Sequence, residues 1–206
     1  MGSFLRPESA DMPNLIADTL ELNGLLDRTA LQGHLDQAAA AARAAGQPLA
    51  VLTMDLDHFK AYLEDQGQAQ AQAVLLRVAE LLKAQQPAGG SLVHLGGDEF
   101  VMLLPATDLA AAHEKAEALR AAVQAACADL DGPAPLTISL GAAASPAGGD
   151  WNANSLLALA EARLTFGKKR LQPHHNRVWA GTLPSDWYHR FEIQAEQWPN
   201  LDLQPA

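Results

Sequence analysis

Cysteine is nearly absent from this sequence: Cys127 is the single thiol, and it lies in an alanine-rich stretch. One thiol excludes an intrachain disulfide and a cysteine-rich metal site, and it is typical of a reducing compartment. No apolar run approaches the roughly 18 residues that a membrane-spanning helix needs. Residues 1–14 also lack the apolar segment of a signal peptide. We therefore expect a cytoplasmic protein without a membrane span.

Positive charge is scarce as well. The chain has 14 Lys and Arg against 24 Asp and Glu, which gives a formal net charge of −10. A broad grip on a nucleic-acid polymer needs clustered basic residues that neutralise phosphates, so we expect no polymeric nucleic-acid partner. A local phosphate site that contains a metal ion stays compatible with this charge. The length of 206 residues favours one domain with additional segments at its ends.

Apolar periodicity predicts alternating helices and strands over most of the chain. Residues 48–56 form a nearly continuous apolar run, which is typical of a strand buried on both faces. Thr107 is expected to cap a long helix that reaches about Leu130. The remaining predicted elements are a short helix within 15–26, helices at 28–45, 69–85 and 155–171, a hairpin formed by 91–95 and 100–105, and strands at 136–145 and 176–181. From residue 48 onward these elements follow the order β-α-β-β-α-β-α-β, after the helices of residues 15–45.

This order predicts an α+β fold with a ferredoxin-like or palm βαββαβ core. In such a core a mainly antiparallel sheet is flanked by helices, here expected on one face, and the first strand lies beside the hairpin. Asp55 would then meet Asp98 and Glu99 at the tip of the hairpin. Three carboxylates repel one another unless a divalent cation joins them, and a set of hard oxygen ligands favours Mg²⁺ or Mn²⁺ over zinc. Such a site suits metal-assisted nucleotidyl transfer.

Two motifs carry a resemblance to a known family. The segments "DLDHFK" (55–60) and "HLGGDEFVMLLP" (94–105) together resemble the GGDEF family of diguanylate cyclases. The resemblance runs from about Leu22 to Val178. It divides the chain into a lead (1–21), a GGDEF-like nucleotidyl cyclase domain (22–180) and an aromatic extension (181–206), which we expect to pack on its own domain or on a partner.

The resemblance implies a reaction and its residues. In the family, two GTP molecules held by two facing domains condense into cyclic di-GMP and release pyrophosphate, so a homodimer is expected at least transiently. The implied metal ligands are Asp55, the Leu56 carbonyl, Asp98 and Glu99, and the last two would also assist deprotonation of the ribose 3′-hydroxyl. The nucleotide-binding positions are Phe59 and Lys60 over the phosphates, Gly96 and Gly97 in the turn, and Lys168 as a phosphate ligand.

Departures from the family pattern concern mainly the base. The position of the guanine-binding Asn is Leu63, and the position of the second guanine reader, an Asp, is Gln72. Gln offers one acceptor and one donor, so it suits adenine or guanine. The Arg before the turn is His94, and the phosphate-binding Arg has Arg170 or Arg177 as its candidate replacement. The family's product-inhibition motif falls on residues 87–90 and is absent.

Several residues in these motifs also have an interpretation in which their role is only structural. Asp57 is expected to cap the following helix rather than bind metal. Lys168 is either a phosphate ligand or a cation that stabilises the end of its helix. His58, His174 and His175 are expected at surface or loop positions.

Three functions follow. The first is a cyclic-dinucleotide synthase that uses GTP, with relaxed base choice. The second is a catalytically silent GGDEF domain that acts as a nucleotide-binding or protein-binding regulator. The third is a palm-type nucleotidyl cyclase or oligonucleotide synthase that uses ATP.

Overall fold

A computed structural model describes residues 25–171, 173–184 and 186–187. The predicted helix within 15–26 lies almost entirely outside the described residues; its last position begins a two-residue strand. The elements in chain order are β1 (Leu26–Asp27), a 3₁₀ turn (Arg28–Ala30), α1 (Leu31–Ala45), β2 (Leu49–Asp57), α2 (Phe59–Gln66), α3 (Gln68–Ala84), β3 (Ser91–Gly96), β4 (Glu99–Pro105), α4 (Leu109–Ala126), β5 (Thr137–Ala144), α5 (Ala153–Arg170) and β6 (Val178–Trp179).

The strands form one mixed sheet in the order β1-β3-β4-β2-β5-β6. The four central strands pair antiparallel. The edge strands β1 and β6 pair parallel with their neighbours β3 and β5. All nine residues of β2 are buried, which explains its continuous apolar run. The predicted α+β class and the position of the first long strand beside the hairpin are therefore confirmed.

Helices cover both faces of the sheet, not only one. Alternate residues of β2, such as Met54 and Val51, enter two separate apolar clusters. The first cluster joins the sheet to α3 and α4, as expected of the βαββαβ core. The second joins it to α1 and α5, which the prediction of a single covered face did not include.

Helix α5 lies unusually close to the sheet at Gly141. A Cβ atom at that position would lie 2.0 Å from the Ala160 carbonyl oxygen and 2.5 Å from the Leu164 backbone nitrogen. Only a residue without a side chain permits this approach. The close packing brings the last turn of α5 to the end of β2.

The start of the aromatic extension packs on its own domain. Leu183 and Trp187 are buried in the cluster beneath α5, and Trp187 meets the Phe166 ring edge-on at 5.4 Å. The buried Arg163 guanidinium donates to the carbonyls of Ala142 and Gly181. These contacts join the segment after β6 to both α5 and the sheet.

Some predicted boundaries were wrong. Asp108, not Thr107, is the N-cap of α4, because its carboxylate accepts a hydrogen bond from the Ala111 backbone at 2.9 Å. The Thr107 hydroxyl instead donates to the Pro105 carbonyl. The helix ends at Ala126 rather than near residue 130.

Within the described part of the chain, no helix has both the length and the apolar character that crossing a bilayer requires.

Candidate functional site

A tight turn joins β3 to β4 and carries the central acidic residue. Gly97 and Asp98 form the turn, and Gly96 pairs with Glu99 across it. The φ angles of Gly96 (123°) and Gly97 (57°) are ones that side-chain-bearing residues rarely adopt. His94 Nε2 donates to the Gly97 carbonyl at 3.0 Å and so fixes the turn from below. The two glycines are therefore needed for the turn itself.

The end of β2 lies against this turn. Asp55 is directly opposite Glu99 in the antiparallel pairing, so both side chains leave the same face of the sheet. The Leu56 backbone N–H donates to the Asp98 carbonyl at 3.2 Å. The structure therefore brings Asp55, Asp98 and Glu99 to one edge of the sheet, as the sequence predicted.

Negative charge is concentrated at this edge. Burial raises the pKa of the Asp98 carboxyl to about 7, and the charges of Asp55 and Glu99 act in the same direction, whereas Lys168 opposes them. A carboxyl group with such a pKa lies where an additional cation would be favourable.

Lys168 extends from the last turn of α5 into the acidic edge. Its ammonium contacts Asp55 Oδ1 and lies 3.2 Å from Asp57 Oδ1. Burial alone would lower the lysine pKa, but the charges of Asp55 and Asp57 outweigh that effect and raise it. Lys168 therefore belongs to the site and is not simply a cation at a solvated helix end.

Asp57 does not cap α2, so that prediction was wrong. Its side chain is fully buried and accepts hydrogen bonds from the hydroxyls of Thr137 (2.8 Å) and Ser139 (2.9 Å) on β5. A further bond comes from the Asn176 backbone N–H at 2.8 Å. The N-cap of α2 is His58, which has a φ of 64° and makes no side-chain capping bond.

The carboxylates fit a hard cation in their chemistry. Asp55, Asp98 and Glu99 offer only oxygen donors, and Leu56, whose alkyl side chain has no ligand atom, offers only its backbone carbonyl oxygen. Among the residues that the structure describes, no three acidic, histidine or cysteine side chains converge as a ready ligand set. The Lys168 ammonium contacts Asp55, the first of the predicted ligands. A Mg²⁺ or Mn²⁺ site stays a prediction.

The predicted nucleotide positions have different surroundings. The Phe59 side chain is 1% exposed within the core, which leaves only its backbone for any nucleotide contact. Lys60 is exposed in the first turn of α2. Leu63 packs partly against the core, and Gln72 is half-buried on α3.

Residues of the segment after α5 have surroundings that the sequence did not predict. His58 and His175 occupy loop positions, as expected, but both are half-buried and their rings contact each other at 4.3 Å. Arg177 is half-buried beside Gly167 of α5: a Cβ atom added to that glycine would lie 3.8 Å from the Arg177 Cδ atom. Arg170, in contrast, is exposed. For the burial of Asp57, the one available sequence signal was the spacing Thr137-x-Ser139. This spacing places both hydroxyls on one face of β5, where they donate to the Asp57 carboxylate.

Comparisons with known proteins identify related sequences. The family model described as "Diguanylate cyclase, GGDEF domain" matches residues 17–173. The diguanylate cyclase DgcP of Pseudomonas aeruginosa is 37% identical over 121 residues, which cover 58% of this chain and 18% of that protein. The chain thus spans less than a fifth of that relative.

Solved structures share the fold. The coiled coil and GGDEF domain of DgcB from Caulobacter crescentus, in complex with c-di-GMP, is 25% identical with a TM-score of 0.67, covering 77% of this chain and 82% of that chain. The diguanylate cyclase SiaD from Pseudomonas aeruginosa, in complex with its activator SiaC, is 23% identical with a TM-score of 0.66, covering 77% and 60%. The second likeness shows the fold alone.

Proposed function

The chain belongs to the GGDEF domain family of diguanylate cyclases, and from this we propose that it is a nucleotidyltransferase that condenses two GTP into cyclic di-GMP and pyrophosphate. One observation carries the proposal beyond the family: Asp55 lies directly opposite Glu99, beside the glycine turn and within reach of Lys168. Two carboxylates and a lysine therefore lie together, which supports a site for a metal ion and phosphates.

Each residue at this edge has a role in the proposed reaction. Asp55, Asp98, Glu99 and the Leu56 carbonyl would hold Mg²⁺ or Mn²⁺, which supplies charge neutralisation for the triphosphate and activates the attacking hydroxyl. Asp98 and Glu99 also assist deprotonation of the ribose 3′-hydroxyl. The glycines of the turn let a phosphate approach the backbone closely.

Cations hold the remaining phosphate charge in the proposed complex. Lys168 donates to phosphate oxygens from its three N–H groups. Lys60, exposed in the first turn of α2, is the second cation that we propose for the phosphates. The exposed α2 position leaves this lysine free to reach a bound triphosphate.

The residues at the two base-recognition positions give little selectivity for guanine. Leu63 cannot hydrogen-bond a base, and the Gln72 amide accepts both purines. The loss of one bidentate base contact typically removes about 1–3 kcal/mol of discrimination, by analogy with contacts in nucleic-acid grooves. We therefore propose relaxed base choice, with ATP as a competing substrate.

Assembly follows from the chemistry of the product. Each domain holds one nucleotide and the product joins two, so two copies of the chain must face each other at least transiently. A separate protein regulator is compatible with this, and SiaD with its activator SiaC is an example among proteins of the same fold.

Product analysis tests the proposal. The purified protein is incubated with Mg²⁺ or Mn²⁺ and with GTP, ATP or both, and the products are identified by mass spectrometry. Cyclic di-GMP is expected, with a mixed or adenine product when ATP is present. The Glu99→Gln variant is expected to abolish turnover while its thermal unfolding stays like that of the wild type. Unchanged turnover in this variant would remove Glu99 from the catalytic assignment.

A silent regulatory domain is the second candidate. It is favoured by the ion pair of Lys168 with Asp55, which already neutralises part of the acidic edge, and by the apolar Leu63. Nucleotide binding without any product, at high protein concentration and with either metal, would support this candidate and contradict the first. Formation of only an adenine-containing product would instead indicate the ATP-dependent synthase.

A further inference from the structure

Asp57 is a buried carboxylate to which the proposed reaction gives no role. Thr137 and Ser139 on β5 and the Asn176 backbone donate to its oxygens, and the Lys168 ammonium lies 3.2 Å from Oδ1. Strand β5 and the segment after α5 therefore hold this carboxylate in one orientation. A carboxylate held in this way can orient a flexible cationic side chain such as that of Lys168.

Lys168 contacts two carboxylates of different character. Asp55 is 13% exposed at the acidic edge, whereas Asp57 is 0% exposed behind it. A divalent cation at Asp55 would repel the ammonium there, because both compete for the same oxygens. Asp57 is out of that competition, since its oxygens are occupied by donors from β5 and from the loop.

We propose that Asp57 is a positioning residue that keeps the Lys168 ammonium within the site when Asp55 turns from the ammonium to a metal-bound nucleotide. This inference rests on the proposed function and deepens it. Release from Asp55 frees donors of the ammonium for the triphosphate, while the contact with Asp57 prevents the side chain from leaving for solvent. Asp57 thereby acts on the distal phosphates without touching them.

A binding cycle tests this role without any turnover. Dissociation constants are measured by calorimetry, with Mn²⁺, for guanosine 5′-[α,β-methylene]triphosphate and for GMP. The proteins are the wild type, Asp57→Asn, Lys168→Met and the double variant. Loss of a charge-assisted contact predicts that Asp57→Asn weakens triphosphate binding by about tenfold or more. In the Lys168→Met background it should change that affinity by less than about twofold.

Two further readouts separate positioning from a merely structural role. GMP binding should be nearly unaffected by Asp57→Asn, because GMP lacks the distal phosphates. Mn²⁺ binding without nucleotide, followed by electron paramagnetic resonance, should tighten in Lys168→Met because a competing cation is gone. Equal weakening of GMP and triphosphate, or the same loss in the Lys168→Met background, would overturn the proposal and leave Asp57 a structural residue.

Controls distinguish the possible failures. A wild type that binds neither Mn²⁺ nor the triphosphate overturns the proposed function and this inference with it. Binding by the wild type with no effect of Asp57→Asn overturns only the inference. Where Asp57→Asn fails to fold, Ser139→Ala replaces it, because it removes a donor to both Asp57 oxygens and keeps the charge. It should weaken triphosphate binding only while Lys168 is present, and an unchanged affinity would overturn the proposal.

Discussion

Replacement of Gly141 by alanine tests how the close approach of α5 positions the site. The new methyl group would lie 2.0 Å from the Ala160 carbonyl oxygen and 2.5 Å from the Leu164 nitrogen. Both are backbone atoms of α5, so no side-chain rotation relieves the clash and the helix must move outward. Lys168 lies one turn beyond Leu164 and would move with it.

The expected magnitude follows from these distances. Overpacking a core commonly costs ~1–3 kcal/mol, and a clash with backbone lies at the upper end, so we expect Gly141→Ala to lower the free energy of unfolding by ~3 kcal/mol. Gly33 provides a matched control with the opposite sign. It lies in α1 with no atom within 4 Å of its Cβ position, so alanine there should stabilise by up to about 1 kcal/mol.

Urea unfolding of the three proteins measures both effects. The two variants should differ by ~3–4 kcal/mol, which is more than a hundredfold in the ratio of folded to unfolded protein. Binding of Mn²⁺ and nucleotide should weaken in Gly141→Ala and stay unchanged in Gly33→Ala. Equal stability of Gly141→Ala and wild type would refute the packing argument, because it would mean that the helix accommodates the methyl group without cost.

Three other predictions concern the base, a buried histidine and a helix cap. Leu63→Asn combined with Gln72→Asp should raise the affinity for GTP relative to ATP by about tenfold or more; an unchanged ratio in competition binding would place the base elsewhere. Burial lowers the pKa of His94, so the folded state favours the neutral ring, and stability should fall as the pH drops from the ordinary value of 6.5 through the folded pKa. His94→Gln should flatten this part of the stability curve, and a curve identical to that of the wild type would contradict the reasoning. Asp108→Ala should cost about 1 kcal/mol of unfolding free energy through the lost cap of α4; no loss in urea unfolding would indicate that Asp108 is not the effective cap.

The sequence allowed the order of the main elements to be predicted, because periodicity and glycine turns are local signals. The β2 run and the hairpin with its two glycines were recognisable for that reason. Strand β1 was missed because two residues have no period, and its existence depends on pairing with β3. The Thr107 cap was wrong by one position, since adjacent Thr and Asp are both favourable caps and only the backbone decides between them.

The candidate site was predictable only where neighbouring residues carry it. Asp98 and Glu99 follow from one turn, and their meeting with Asp55 follows from strand order. Asp57 was assigned to a cap because its real partners, Thr137 and Ser139, lie 80 and 82 residues away in the chain. The pairing of Lys168 with Asp55 spans 113 residues and depends on how closely α5 packs. Contacts between residues so far apart in the chain leave no local pattern in the sequence.

The burial of Trp187 means that the folding unit extends beyond the segment that matches the family. The family match ends at residue 173, yet Leu183 and Trp187 complete the apolar layer under α5, and Arg163 bonds the Gly181 carbonyl. A fragment cut at residue 173 would uncover the Phe166 ring and leave a buried guanidinium without one of its acceptors. An excised domain, or a fusion of this domain to another protein, therefore has to retain the chain through Trp187 to keep α5 anchored.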